Sequence, residues 1–251
     1  MSEPDLDTFG GGLNIAIFGA TGGIGRALTQ CLSRNQNTQS ILAISRSPNM
    51  VSSPKVTTLQ VDIANESDIM RAVETVKSTV GELHLVLVAT GILHVGDHLK
   101  PEKSWRALDQ SSMEAVFRIN TIGPALIAKN FLPLLAKNRK SAFAALSARV
   151  GSIEDNRLGG WYAYRASKAA LNMIIRTLSI ELSRLNPSAL CVGLHPGTVD
   201  TSLSKPYQGS VADGGIFSVE QSANHLLNVI NGLKLEHSGR VFAWDGKSIP
   251  F

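Results

Sequence analysis

The chain has 251 residues, of which 43% are apolar and 18% charged, and its formal net charge is +4. This length and composition predict a folded globular protein with a sizeable core and exclude a disordered chain. There is no basic run with interleaved aromatic residues, which argues against nucleic-acid binding, and no apolar run of the ~20 residues that span a bilayer, which argues against a membrane protein.

The N-terminal residues and the cysteines bear on the protein's location. The start, MSEPDLDTFGGG, is acidic and lacks the apolar segment of a signal peptide, so a flexible tail is predicted over residues 1–12. Cys31 and Cys191 lie far apart in apolar segments, which favours buried thiols over a disulfide. A cytoplasmic protein is the expectation.

Short apolar segments alternate with stretches of helical periodicity along the chain. Strands are predicted over 13–18, 40–45, 55–62, 82–90, 141–147, 188–195 and 239–246. Helices are predicted over 23–34, 65–80, 110–137, 161–184 and 218–233. The third helix is expected to bend or break near Pro124 and Pro133. Because strands that are apolar throughout belong inside parallel sheets, the alternation predicts an α/β fold, a doubly wound parallel sheet of the Rossmann type, in one domain over 13–251.

A glycine-rich segment, FGATGGIGRAL (18–28), joins the first predicted strand to the first predicted helix. Gly19, Gly23 and Gly25 allow the backbone to approach a pyrophosphate closely. The helix that follows offers free N–H groups and the positive end of its dipole. In this position the pattern predicts a dinucleotide site, and Ile24, between two of the glycines, is counted among its contacts.

The end of the second strand indicates which dinucleotide to expect. Sites that prefer NAD carry a carboxylate there, which holds the ribose hydroxyls. This chain has Ser45 and Arg46 and no carboxylate. A hydroxyl and a guanidinium suit a 2′-phosphate, so NADP(H) is favoured over NAD(H). The alternative is that Arg46 is simply a solvated loop residue.

Five motifs in the same order and spacing resemble the short-chain dehydrogenase/reductase family, from about residue 13 to the C-terminus. They are the glycine pattern, with Phe18 in place of the family's threonine, then Asp62 in VDI, Asn120 in INTIG, Tyr164 and Lys168 in YRASK, and Pro196 to Thr201 in PGTVDT. The stretch 151–173 further resembles the carbonyl-reductase-like branch, which includes the C-factor and sniffer proteins.

The resemblance implies an oxidoreductase that interconverts a carbonyl and an alcohol by hydride transfer. Tyr164 would be the general acid or base. Lys168, four residues later on the same helix face, would favour the phenolate, with help from an oxidised nicotinamide, and would hydrogen-bond the nicotinamide ribose. Asn120 would anchor a water that links Lys168 to solvent. Tyr162 lies on the other side of the helix and is predicted to be packing or pocket wall.

The remaining cofactor contacts follow from the same resemblance. They are Asp62, Ile63, Ala89, Thr90, Gly91, Tyr164, Lys168, Pro196, Gly197, Val199 and Thr201. The family's N-N-A-G after the fourth strand is VATG in this chain, so Ala89 and Thr90 are expected to contact the cofactor through their backbone. No metal site is predicted, because His94 and His98 have no carboxylate or thiol cluster to complete one.

The serine that polarises the carbonyl in this family is displaced. The family's S-S-x-x-G is SARVG here, and alignment on Gly151 puts Ala148 where the second serine belongs. Ser147 is the favoured substitute, although strand alternation points it to the other face. Ser152 and the absence of any serine are the alternatives. A missing donor to an oxyanion typically lowers the rate by ~10²–10³.

A small-molecule carbonyl or alcohol is the expected partner, with no nucleic acid and no membrane. Trp105, Trp161 and Tyr207 are candidates for the wall of its pocket. Substrate choice is expected to depend on the loops at 92–106 and 202–217, the second of which is a candidate lid.

Two further expectations concern assembly and an alternative function. Relatives pair through the helices that correspond to 110–137 and 161–184, so the resemblance implies a homodimer or homotetramer. The alternative function is a regulatory or sensor protein that binds NADP(H) and has lost turnover. Ala148 and the missing asparagines after the fourth strand favour this alternative, whereas Tyr164, Lys168 and Asn120 argue against it more strongly.

Overall fold

The computed structural model describes residues 4–47, 51–210, 212 and 214–251. The strands are β1 Leu13–Phe18, β2 Thr38–Ser45, β3 Val56–Gln60, β4 Leu85–Val88, β5 Ser141–Leu146, β6 Ala189–His195, β7 Thr198–Val199, β8 Ile216–Phe217, β9 Val241–Ala243 and β10 Ser248–Ile249. The α-helices are α1 Gly23–Arg34, α2 Glu66–Thr79, α3 Gln110–Phe117, α4 Gly123–Phe131, α5 Tyr162–Leu185 and α6 Val219–Gly232. None of the helices described crosses the threshold of length and apolarity that a bilayer span requires.

Eight strands form one sheet in the order β10-β9-β6-β5-β4-β1-β2-β3. All neighbouring pairs are parallel except β9 and β10. One apolar core lies between the sheet and helices α1 and α6, and a second lies between the opposite face and helices α2, α4 and α5. The predicted doubly wound α/β fold is therefore confirmed. Strand order reverses between β1 and β4, the point at which such sheets bind nucleotides.

The burial of the strands follows their position in the sheet. Every residue of β1 and of β4 is buried, as expected for central strands covered by helices on both faces. In contrast, β3 at the edge is largely exposed. The apolar runs of the sequence thus predicted the inner strands well.

The long helix expected over 110–137 is broken as predicted. After α3 the chain forms a π-helical turn over Arg118–Ile122, then α4, then a 3₁₀ turn over Leu132–Leu134. Pro124 lies in the first turn of α4 and Pro133 in the 3₁₀ turn, where a missing N–H is tolerated. The π-helical turn carries a residue of the site described below.

The N-terminal segment differs from expectation. A flexible tail was predicted over residues 1–12, of which 1–3 lie outside the described part of the chain. Leu6 and Phe9 are fully buried in the core beside α1 and α6. Lys140 lies over the Phe9 ring, 4.4 Å from its centroid, and donates to Thr8 Oγ1 at 2.9 Å. The prediction is therefore wrong for these residues, because two apolar side chains anchor a segment that is otherwise acidic.

Three short strands were not predicted. β7 and β8 form a separate parallel pair that brings the two ends of the lid region together, and β10 extends the main sheet beyond β9. Within the candidate lid, residues 211 and 213 are outside the described part of the chain, and Lys205–Ser210 form a 3₁₀ helix. Cys31 and Cys191 are buried thiols, as predicted.

Candidate active site

A cavity opens where the carboxyl ends of β1, β2 and β4 meet. Its walls include eight of the residues predicted to contact the cofactor: Gly19, Ser45, Arg46, Asp62, Ile63, Ala89, Thr90 and Gly91. Arg46 is exposed at its rim, and the Ser45 hydroxyl donates to the backbone oxygen of Ser47. The Asp62 carboxylate accepts from the Ala64 backbone N–H at 3.0 Å, which fixes the turn after β3. The cavity lies at the switch point of the sheet, as nucleotide sites do in this architecture.

The glycine-rich turn is packed too tightly for side chains. Gly19 has φ +79°, and a Cβ there would lie 2.9 Å from the Ala89 backbone carbonyl. A Cβ at Gly25 would overlap the Gly19 carbonyl oxygen, and one at Gly23 would lie 2.7 Å from Thr201 Cγ2. The turn therefore needs glycine both for its conformation and for its close contacts.

The inner end of the cavity fits the polar part of a ligand. Thr90 Oγ1 is buried and has no hydrogen-bond partner among the described residues. A Cβ at Gly91 would lie 3.5 Å from Asn120 Oδ1 and 3.6 Å from Lys168 Nζ, so the glycine leaves a passage between the cavity and these groups. Buried hydroxyls are rarely left unpaired. The cavity thus fits part of a nicotinamide dinucleotide, with Arg46 at its rim and Gly91, next to Lys168, in its wall.

Asn120 lies in the π-helical turn and is fully buried. Its Oδ1 accepts from the Ile92 N–H at 2.8 Å, and its Nδ2 donates to the Ile92 oxygen at 2.9 Å and to Ser167 Oγ at 3.1 Å. These bonds join the loop after β4 to α5. Oδ1 retains capacity for one further hydrogen bond, which the predicted water contact would use.

Tyr164 and Lys168 are adjacent on the buried face of α5, with Nζ 5.9 Å from the centre of the tyrosine ring. Lys168 Nζ also donates to the Leu146 backbone oxygen at 2.7 Å. Burial raises the pKa of Tyr164 to about 12 and lowers the pKa of Lys168 to about 8. The lysine was expected to lower the tyrosine pKa, but in the protein alone the loss of hydration has the larger effect. At neutral pH Tyr164 therefore carries its proton.

The two candidate serines have other partners. Ser147 Oγ donates to Asn172 Oδ1 at 2.6 Å, and Ser152 Oγ accepts from the Asp155 N–H at 3.0 Å. Ala148 instead packs with Tyr164 in one apolar cluster. The residue beside the tyrosine at this strand end is therefore an alanine, and the role predicted for Ser147 stays a prediction.

An apolar cluster surrounds Tyr164 at the predicted substrate loops. Leu93, Val150, Trp161, Leu203 and Tyr207 pack around Tyr164 and Ala148. The Trp161 ring lies 6.2 Å from the Tyr164 ring and 5.1 Å from the Tyr207 ring, between centroids. Trp105, the third aromatic candidate, is 62% exposed and lies under Arg106 instead, so it is not part of this cluster.

Comparison with known proteins identifies the family. Residues 14–210 match the family model described as short chain dehydrogenase. The chain belongs to this family. The predicted resemblance is thus confirmed, and with it an oxidoreductase that uses a nicotinamide cofactor.

Similar proteins support a position near the carbonyl reductases of the family. The chain is 38% identical to the C-signal protein of Myxococcus xanthus over 151 residues, which cover 59% of this chain and 85% of that protein. It is 28% identical to an uncharacterised oxidoreductase of Schizosaccharomyces pombe over 255 residues, which cover 94% and 96% of the two chains.

Two solved structures extend this likeness over nearly the whole chain. An NADPH-bound carbonyl reductase from chicken fatty liver is 25% identical with a TM-score of 0.83, covering 98% of this chain and 97% of its own. The carbonyl reductase Sniffer of Drosophila melanogaster is 25% identical with a TM-score of 0.82, covering 96% and 100%.

The segment Pro196–Thr201, which matches the family's proline-glycine motif, packs against α6, Phe217 and the glycine-rich turn. Pro196 follows β6 directly, and its backbone oxygen accepts from Ser222 Oγ on α6 at 3.0 Å. Gly197 has φ +80° and lies against the Phe217 ring, where a Cβ would come within 2.6 Å. Val199 is buried in β7, and Thr201 contacts the glycine-rich turn. Ile24 packs against the core from the first turn of α1.

Some site residues were not predicted from the family motifs. Thr21, Gly22, Ile44, Val61, Ile92 and Ile119 complete the cavity walls. Ser167, next to Lys168, holds Asn120 and also donates to the Tyr164 backbone oxygen at 2.8 Å. The position of Ser167 directly before Lys168, in the sequence ASK, is the feature from which its role could have been predicted. Across the described ranges, no three His, Cys, Asp or Glu residues are grouped as metal ligands, and His94 Nε2 lies 3.1 Å from the Ser202 oxygen.

Proposed function

We propose that this protein is an NADP(H)-dependent oxidoreductase that interconverts a carbonyl and an alcohol by hydride transfer, with Tyr164 as the general acid and base. One observation carries the proposal. Asn120 Oδ1 and Lys168 Nζ lie near Gly91 in the cavity wall, where the Thr90 hydroxyl is unpaired, and Tyr164 lies beside Lys168 on α5. The apolar cluster around Tyr164, at the predicted substrate loops, would provide the wall of a substrate space, so that the phenol would lie between cofactor and substrate.

The cofactor would supply the hydride in the direction of reduction. The glycine-rich turn and the start of α1 would bind its pyrophosphate, since both offer backbone N–H groups without steric obstruction. Arg46, exposed at the rim of the cavity after β2, would bind the 2′-phosphate of NADP(H). Preference over NAD(H) is supported by this residue and by the absence of a carboxylate at the end of β2.

Tyr164 would donate its proton to the carbonyl oxygen. Its raised pKa suits this step, because the phenol stays protonated at neutral pH until it reacts. The Lys168 ammonium would then stabilise the phenolate that is left. Because the pKa of Lys168 is lowered to about 8, this ammonium can also pass a proton on near neutral pH. Asn120 would hold the water that returns the proton from solvent.

The variant Tyr164→Phe tests this function. We expect turnover of carbonyl substrates to fall by about 10²–10⁴-fold, because the proton donor is removed, while NADPH affinity changes by less than about threefold. Turnover is measured as NADPH consumption over a panel of aldehydes and ketones, and affinity by fluorescence titration. Tyr162→Phe, a change to the neighbouring tyrosine on the other side of α5, is the matched control. Unchanged turnover in Tyr164→Phe would contradict the mechanism.

A regulatory protein that binds NADP(H) is the second candidate function. It is favoured by Ala148, which removes a hydroxyl beside Tyr164, and by the other partners of Ser147 and Ser152. Tight NADPH binding by the wild-type protein with no consumption across the panel would support it. Sustained consumption would support the enzyme.

We also propose that the chain pairs with a second copy through the region of α3, α4 and α5. Apolar side chains are exposed in this region, with Ile122 in the π-helical turn 51% accessible and Met173 and Ile180 on α5 65% and 44% accessible. Sedimentation of the wild type and of Met173→Glu would test this contact. A cytoplasmic location stays a prediction from the sequence.

A further inference from the structure

A buried glutamate far from the family motifs contacts the start of α5. Glu102 lies in the loop between β4 and α3, and 6% of it is exposed. Its two carboxylate oxygens lie 3.3 and 3.2 Å from the Ala163 backbone N–H, and its backbone oxygen accepts from the Trp161 N–H at 2.5 Å. Within the described ranges it forms no ion pair. The Ala163 N–H is therefore the hydrogen-bond partner of the buried carboxylate, while the Trp161 N–H is bonded to the Glu102 backbone.

The contacted segment has an unfavourable conformation. Gly159, Gly160 and Trp161 are consecutive residues with φ of +64°, +65° and +52°. Trp161 alone, among the described residues other than glycine, has a positive φ. A bulky side chain is disfavoured in this region, so the conformation persists only where surrounding contacts hold it.

Two side chains of opposite charge hold this turn from its two sides. The Glu102 carboxylate accepts from the Ala163 N–H, and its backbone oxygen accepts from the Trp161 N–H. Arg165 Nε donates to the Gly159 and Gly160 oxygens at 3.2 and 3.0 Å. Trp161 precedes α5 and provides no side-chain cap. Glu102 supplies that cap from 61 positions earlier in the chain.

The turn at Gly159–Trp161 determines the positions of two aromatic side chains of the site, Trp161 and Tyr164. Trp161 presents its ring to Tyr164 and Tyr207. Tyr164 is the third residue of α5, so the first turn of the helix carries the phenol. Loss of the carboxylate cap would leave the Trp161 N–H bonded to the Glu102 backbone oxygen but would free the Ala163 N–H, and so loosen the first turn of α5, next to which the Trp161 ring is placed. The dinucleotide cavity is lined by other elements and would not be affected.

We propose that Glu102 is a positioning residue of this active site, which fixes the Trp161 wall of the substrate pocket and the first turn of α5 by capping that helix from the substrate loop. The inference rests on the proposed oxidoreductase function for its kinetic readout. It also couples the loop 92–106 to the position of Tyr164.

Kinetics of Glu102→Ala, Glu102→Asp and Glu102→Gln test this role. We expect Glu102→Ala to raise the KM for the carbonyl about tenfold, equivalent to about 1.4 kcal/mol, with the NADPH Kd within about twofold of wild type. Glu102→Gln keeps an acceptor at the same reach and should stay within about threefold, whereas the shorter Asp should rescue less. Glu74→Ala, at an exposed glutamate of α2, is the matched control. If Glu102→Ala does not fold, the KM values of the other two variants test the role: Glu102→Gln should lie closer to wild type than Glu102→Asp, and the reverse order would contradict it.

A double-mutant cycle separates positioning from general stability. Trp161→Ala should itself raise the KM, and adding Glu102→Ala should then raise it by less than about twofold, because the group that Glu102 holds is gone. Multiplicative effects, or an unchanged KM in folded Glu102→Ala, would overturn the inference. Trp161 fluorescence, taken as the difference from Trp161→Phe, should shift to the red in Glu102→Ala. The fluorescence shift tests whether Glu102 positions Trp161 without any need for turnover. If the wild type shows no turnover, the proposed oxidoreductase function is rejected, while the positioning role is still tested by fluorescence.

Discussion

The dinucleotide cavity and the apolar cluster around Tyr164 are built differently. The cavity lies at the ends of β1, β2 and β4, and its glycine-rich turn comes from consecutive residues that have no room for a Cβ. The cluster is made of side chains from separate segments, around Leu93, Ala148–Tyr164 and Leu203–Tyr207. The glycine-rich turn thus leaves little freedom for substitution, whereas we expect the cluster to tolerate changes of its side chains.

Of the variants that test this difference, Gly19→Ala is expected to have the largest effect on stability and on NADPH affinity. The change forces a side chain into positive φ and against the Ala89 backbone carbonyl, 2.9 Å away. We expect the free energy of unfolding to fall by about 2–5 kcal/mol, the sum of strain and overpacking, and NADPH affinity to fall by about a hundredfold. Urea denaturation and fluorescence titration measure the two quantities.

Gly81→Ala is the matched control for this variant. Gly81 has φ +75°, but a Cβ there would meet nothing within 4 Å. It should lose only the strain contribution of about 1–2 kcal/mol and keep its NADPH affinity. Equal losses in the two variants would mean that conformation alone, and not the close backbone contact, makes the cavity intolerant.

A smaller effect on the cavity side is expected from Arg46→Ala. Removal of a guanidinium that binds the 2′-phosphate should weaken NADPH binding by about 10–100-fold and leave NADH binding unchanged, since a charged hydrogen bond contributes about 1.5–3 kcal/mol. Titration with both cofactors checks this, with Arg71→Ala on the exposed face of α2 as the control. Similar losses for NADPH and NADH would remove the basis for cofactor preference.

Ala148→Ser, in the apolar cluster around Tyr164, is expected to have the smallest effect, about a tenfold rise in kcat. The new hydroxyl would lie beside Tyr164 and donate to the carbonyl oxygen, and we expect it to recover part of the ~10²–10³ that such a donor contributes. Ser147→Ala is the companion variant. If Ser147 already supplies this bond, Ala148→Ser leaves kcat unchanged and Ser147→Ala lowers it by ~10²–10³.

The sequence predicted those features that depend on neighbouring residues. The glycine-rich turn, the Tyr164–Lys168 spacing and the break before Pro124 each depend on a few consecutive positions, and all are present in the structure. Strand alternation also anticipated that Ser147 and Ala148 have different surroundings, which the Asn172 contact and the Tyr164 cluster bear out.

Features that depend on contacts between residues far apart in the sequence, or on how deeply a side chain is buried, could not be predicted from neighbouring residues. Glu102 meets α5 only because a loop folds back over it, and its own surroundings in the sequence contain no sign of this. The direction of the Tyr164 pKa depends on how completely the ring is removed from water, which helical spacing does not specify. Leu6 and Phe9 were masked by the acidic residues around them.

The docked N-terminal segment has a consequence for the order of folding. Thr8 bonds to Asn231 of α6, a partner 223 positions later in the chain. At the usual rate of translation, roughly 10 to 45 s separate the synthesis of the two residues. During that interval the apolar side chains of Leu6 and Phe9 lack the α6 part of their binding surface on the nascent chain. The segment synthesised early is thus among the late ones to reach its final place, and a chaperone that recognises short apolar motifs would find it exposed on the ribosome.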